Sequence, residues 1–150
     1  MKLSQHFTFA ELTRTSHAHL QQKNQEEAVQ YMAALTDLTR MLEVVRARFG
    51  PVVVTSGFRG PSLNALVKGS ATSQHCKGEA ADIVCPATTV PDLHKWIVTK
   101  SGLAFGQCIL EMPPGRAWVH LSLGAPYRPA ARCGMSLFTD DGKSYTQKKY

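Results

Sequence analysis

SQHCKGEAADIV, residues 73–84, decides how the rest of the chain is read. Its second half, 79–84, is a run of small and β-branched residues closed by Pro86, which predicts a strand. Asp82 interrupts that run. A carboxylate in a small, apolar strand needs a partner, because burying it alone is costly. A cation is one solution and an arginine is another. His75 precedes the strand, and Gly78 lets the chain turn sharply between them, so that both side chains can reach one point. Histidine and aspartate are metal-ligand types, but one such pair proves little without a third.

Downstream, residues 107–111 and 118–123 read as two further strands, joined through a Pro113-Pro114-Gly115 turn. In Trp118-Val119-His120-Leu121-Ser122, alternation sets Trp118, His120 and Ser122 on one face and Val119 and Leu121 on the other. The aliphatic pair belongs to the core, which leaves His120 facing away from it beside an aromatic. A lone strand histidine is ordinarily a surface or hydrogen-bonded residue. Taken with His75 and Asp82, it makes three ligands for a tetrahedral Zn2+. The fourth position stays open for water, the catalytic rather than the structural pattern.

Upstream, Thr8 and Glu11 have capping-box spacing and Phe7 with Leu12 has staple spacing, which predicts a short helix starting at Phe9. The polar stretch 16–25 is expected to be a loop or the frayed start of the next helix. A long helix is predicted over 26–49, where Leu35, Leu38, Leu42, Val45 and Phe49 recur at steps of three and four and form a core stripe. Gly50 and Pro51 end it. Residues 51–55 read as a strand, and Ser56-Gly57-Phe58-Arg59 turns into a short helix near 62–67. Residues 91–100 form a helix with Leu93, Trp96 and Ile97 inward. Asp141-Gly142 in the tail marks a small hairpin. Helices first and strands later, with few βαβ alternations, predict an α+β fold: a small, mainly antiparallel sheet with packed helices. A chain of 150 residues suits one domain, 1–150.

Apolar content of 43% and charged content of 19% exclude a disordered chain. No apolar run reaches membrane-spanning length, so no membrane insertion is expected. The first residues lack the apolar core of a secretory signal, which leads to the expectation of a protein made in the cytoplasm. Cys76, Cys85, Cys108 and Cys133 form no C-x-x-C pair and are read as free thiols. Cys76 follows His75 directly, and neighbours in an extended chain point apart, so a Cys–His nucleophile is not expected. The net charge of +6 favours contact with anionic polymers, nucleic acid and bacterial cell wall among them. Its basic residues are scattered, with no aromatic RNA-binding motif and no basic helix, so no specific nucleic-acid site is expected.

Ser73-x-His75-x-x-Gly78-x-Ala80-x-Asp82, followed by Trp118-x-His120, resembles the zinc D-Ala-D-Ala carboxypeptidase family of peptidoglycan peptidases. That family also holds dipeptidases and phage endolysins cutting between L-Ala and D-Glu. The opening run from Leu3 to Leu12 and the Ser56-Gly57-Phe58-Arg59 turn are similar to the family's small, single-domain branch, so the resemblance spans most of residues 3–123. It implies a hedgehog/carboxypeptidase-like zinc peptidase fold, Zn2+ as cofactor and His75, Asp82 and His120 as its ligands. It implies a peptidoglycan stem peptide as substrate, cut at an L-Ala-D-Glu or D-Ala-D-Ala bond, and an endolysin-like monomer acting at the cell wall.

The same resemblance places Arg59 near the metal, to grip a substrate carboxylate or steady an oxyanion; a salt bridge tying the turn to a strand is the alternative. Ser73 bonds substrate or only its own turn, and Trp118 borders the substrate. The general base is the departure. Many members carry an acidic residue three before the last histidine, where this chain has Ala117. If Glu111 pairs opposite Trp118, it shares His120's sheet face and becomes the expected base; Glu79, which sits between the ligands, is the second candidate, with an exposed strand end as its alternative reading. With neither acting, the fold would bind wall peptides without cutting them. His6, His17, His19 and His94 match no role.

Overall fold

Alternation at Trp118–Leu123 sets the plan of a six-stranded sheet. The structure is a computed structural model describing residues 1–150. Its strands are β1 (Val53–Ser56), β2 (Ala80–Val84), β3 (Phe105–Glu111), β4 (Trp118–Leu123), β5 (Met135–Thr139) and β6 (Thr146–Gln147). They lie in the order β1-β2-β4-β3-β5-β6. Every neighbouring pair is antiparallel except β3 and β5, which run parallel. The fold is therefore α+β with a mainly antiparallel sheet, as the element order predicts. The parallel pair arises because the long connection 124–134 carries the chain back across the sheet instead of turning tightly. The Asp141-Gly142 hairpin is present as β5 and β6.

Helix α1 (Phe9–Thr13) begins with the predicted capping box: the Thr8 side chain accepts from the Glu11 backbone, and the Glu11 carboxylate accepts from Thr8 N. The segment expected to fray is instead ordered as a 3-10 turn at Ala18–Leu20 followed by α2 (Gln21–Ala28). A second 3-10 turn, Val29–Tyr31, separates α2 from α3 (Met32–Phe49). What reads as one long helix is thus two. The break contains neither Gly nor Pro, so nothing in the local sequence announces it. Helices α4 (Pro61–Leu66) and α5 (Val90–Thr99) complete the set.

One sheet face forms the core. Ala81 and Ile83 from β2, Val119 and Leu121 from β4 and Cys108 from β3 pack with Leu35, Leu38, Leu42 and Val45 of α3 and with Leu93 and Ile97 of α5. These positions are the apolar halves of the alternating strands and the stripe of α3. Fully burying each of the Leu, Ile and Val side chains among them contributes about 1.5–3 kcal/mol. The residues between them, Asp82, Ile109, Glu111, Trp118 and His120, point to the opposite face and line a cleft of about 800 Å³. All four cysteines are free. No helix is long and apolar enough to cross a membrane.

Candidate metal centre

Three elements bring their side chains to one point. Asp82 and His120 face each other across the β2–β4 ladder, so their side chains emerge side by side. His75 arrives on the 3-10 turn Gln74–Lys77, which Gly78 reverses in a left-handed conformation at φ +70°. A Cβ at Gly78 would lie 3.0 Å from Leu35 Cγ and 3.2 Å from Tyr31 Cβ, so both its conformation and its contacts demand glycine. His75 Nε2, Asp82 Oδ1 and His120 Nδ1 stand 3.1–3.2 Å apart in all three pairings. The histidines are buried and the Asp82 side chain is 14% exposed.

This triangle fits a metal ion. A tetrahedral site with bonds of about 2.0–2.1 Å separates its ligand atoms by about 3.3–3.4 Å. The His75 Nδ1 atom lies 2.8 Å from the Gly57 carbonyl and donates to it. This fixes the tautomer and leaves Nε2 with a bare lone pair toward the other two ligands. A carboxylate oxygen and two imidazole nitrogens this close are held together either by a proton on an imidazole or by a metal cation among them. Burial alone would push the Asp82 carboxyl up, but the adjacent His75 and His120 overcome it and hold it well below the usual carboxylate range.

The Gly57 carbonyl is itself held by a close crossing of chains. A Cβ at Gly57 would fall within van der Waals overlap of the Leu12 backbone, and Phe58 N donates to Leu12 O at 2.7 Å. The N-terminal segment therefore buttresses a residue that orients a ligand histidine.

Around the triangle, Glu111 pairs opposite Trp118, the register on which its sequence reading depends. Trp118 Nε1 donates to Glu111 Oε2 at 2.6 Å. Burial and the nearby Asp82 charge raise the Glu111 carboxyl above its ordinary value, against the opposing pull of His120, the Trp118 hydrogen bond and Arg59. Arg59 Nη2 donates to Ser73 Oγ at 3.3 Å, and its Nε is buried without a partner. Arg59 makes none of the molecule's ion pairs, so the salt-bridge alternative is absent. Ser73 Oγ also accepts from His75 N, the local turn bond.

Glu79 is buried rather than exposed, and its carboxylate accepts from Gln74 Nε2 at 3.1 Å. It is not among the residues lining the cleft. The cleft also contains side chains that sequence reading did not single out: Gln74, Arg128, Arg132, Leu137 and Tyr145. Gln74 carried a signal, since it adjoins a ligand. The others lie in or beyond an irregular connection that has no periodicity to read.

The remaining histidines stand apart from the centre. His6 pairs with Glu43, and His94 is buried between Tyr150 and the Cys108 carbonyl. His17 and His19 stack edge to face on the surface.

No curated protein matches the chain. A family model described as Peptidase M15 matches residues 5–122, a span that includes the capping box, the Gly57–Arg59 turn and all three residues of the triangle. With that match and a cluster able to hold a metal, the chain belongs to the Peptidase M15 family, whose members are zinc-dependent peptidases.

Proposed function

We propose that the protein hydrolyses amide bonds of peptidoglycan stem peptides, as an endolysin-type L-Ala-D-Glu endopeptidase or a D-Ala-D-Ala carboxypeptidase. His75, Asp82 and His120 would hold Zn2+. The observation that carries this reading is the convergence of three ligand atoms at 3.1–3.2 Å on the floor of a cleft, with a carboxylate on the same sheet face. When bound, zinc lowers the pKa of water and polarises a substrate carbonyl.

The chain's own residues supply the proton handling and the grip. Glu111 is one residue pair from His120 along the β3–β4 ladder, about 7 Å by the diagonal of an antiparallel sheet. Trp118 pins Oε2 and leaves Oε1 to accept the proton of the attacking water. The raised pKa suits a group that takes that proton and returns it to the leaving amine. Arg59, held by Ser73 and with an unpartnered Nε, is placed to stabilise negative charge developing on the carbonyl oxygen. Ser73 steadies both Arg59 and the ligand turn, and the Trp118 ring borders the substrate. The surplus of positive charge favours the anionic wall.

The test is hydrolysis of purified peptidoglycan and of a synthetic stem pentapeptide by zinc-loaded protein, with products identified by mass. Wild type is expected to release new amino termini at one bond. Glu111→Gln is expected to keep its zinc and lose about 100-fold or more in kcat. Equal rates in the two proteins would remove Glu111 from the reaction. No hydrolysis by wild type on either substrate would make the fold a wall-peptide-binding module.

A further inference from the structure

Arg128 is a cation in the cleft with no anion to meet it. It makes none of the ion pairs. Its Nη1 donates to Gln74 Oε1 at 3.0 Å, its Nη2 reaches only Met135 Sδ at 3.9 Å, and its Nε is buried without a partner. Gln74 is fully engaged, since its Nε2 donates to Glu79 Oε2 and to Leu123 O. Gln74 therefore aims the guanidinium without neutralising it. Burial and the adjacent Arg132 charge depress the Arg128 pKa, so the pair gains from any anion that joins it. Arg132 lines the same cleft and is also unpaired.

Position then narrows what that anion is. At Gly106, where β3 passes β4, an added Cβ would lie 3.0 Å from Ser122 Oγ and 3.2 Å from Arg128 Cδ. Arg128 therefore sits at the Ser122 end of β4, whereas Glu111 sits at the Trp118 end, with His120 between them. Two strand residues span about 7 Å, which is about two residues of an extended peptide lying along the cleft. A guanidinium is suited to bidentate capture of a carboxylate. Both arginines lie beyond Ser122, outside the segment that the family model matches.

We propose that Arg128, assisted by Arg132, forms a carboxylate-binding subsite at the Ser122 end of the cleft, which reads the free carboxylate nearest the scissile bond of a stem peptide. The inference rests on the peptidase reading above and assigns the end of the cleft opposite the proton-transferring carboxylate. Arg59 is thereby left to the reacting carbonyl.

Three forms of L-Ala-γ-D-Glu-L-Lys-D-Ala-D-Ala test it: the free acid, the D-Glu α-carboxamide and the C-terminal carboxamide. Cleavage is followed with zinc-loaded wild type, and binding by calorimetry with zinc-loaded Glu111→Gln, with and without Arg128→Met. One of the two amidations is expected to weaken binding and kcat/KM about 10- to 100-fold. Arg128→Met is expected to erase that difference, weakening the acid to the level of the amide while leaving the amide unchanged. Arg128→Lys, which keeps the charge, is expected to restore part of the discrimination and guards against a folding defect. Acid and amides treated alike by the parent protein, equal losses on all three peptides in Arg128→Met, or no binding of any peptide would each overturn the subsite. Carboxylate-dependent binding without cleavage would strike the peptidase reading and leave the subsite standing. Cleavage with no acid–amide difference would do the reverse.

Discussion

The triangle of His75, Asp82 and His120 is assembled from residues that each depend on a neighbour. Gly57 O orients one ligand, the β2–β4 ladder sets the other two side by side, and the three ligand atoms lie close enough to hold one metal ion. Removing one ligand leaves two donors and an open cage. His120→Ala is expected to lose the metal that wild type retains at about one zinc per chain, read by elemental analysis of protein purified without added metal. Retention of zinc by the mutant would mean that His120 is no ligand. Residue types and spacing made this set readable, because ligand chemistry admits few side chains and strand alternation fixes their direction. The position of Glu111, though not its role, was readable for a related reason: a short connection between two strands restricts their register, and the register sets it opposite Trp118. Arg128 was not readable. Its role depends on being an unpaired cation, and pairing is a property of three-dimensional neighbours that no spacing encodes.

At the scale of elements, the ligand turn 74–77 hangs on one backbone reversal. Gly78 holds φ +70° with Leu35 and Tyr31 packed against its missing side chain. Gly78→Ala adds left-handed strain and a contact shorter than core packing tolerates. It is expected to cost about 2–3 kcal/mol in urea unfolding and to weaken zinc retention, since the same turn carries His75. A change below about 0.5 kcal/mol would show that the turn relaxes freely. Helix periodicity found the α3 stripe and its Gly50 stop. It missed the 3-10 break at Val29–Tyr31 because that interruption comes from packing rather than from a breaker residue. The capping box at Thr8 and Glu11 was legible for the opposite reason, since its two hydrogen bonds lie within four consecutive residues.

At the scale of the whole molecule, the C-terminus is fastened to the interior by His94. Its Nε2 donates to the Cys108 carbonyl at 2.9 Å, and its Nδ1 accepts from the Tyr150 hydroxyl at 2.6 Å. Burial lowers the His94 pKa, and Lys148 adds to this against the opposing Cys108 hydrogen bond, so the fold favours the neutral ring. A depressed pKa contributes stability that is complete above the ordinary value of about 6.5 and is lost as pH falls through the lower folded value. Wild type is therefore expected to lose stability between pH 7 and pH 5 more steeply than His94→Gln in denaturant titrations. Parallel slopes would show that His94 does not couple folding to protons.

The division of the cleft between two parts of the chain carries a consequence for how such a protein can change. The triangle on the cleft floor belongs to β2, β4 and the turn before β2, while Arg128, Arg132, Leu137, Gly142 and Tyr145 come from the chain after β4. That later segment supplies no member of the triangle and joins the rest of the sheet through the β3–β5 pairing. If Arg128 reads the substrate carboxylate as proposed, part of the choice of substrate is written in a stretch of the gene apart from the metal ligands. Substitution within the last 27 or so residues would then alter one end of the cleft and leave His75, Asp82 and His120 untouched.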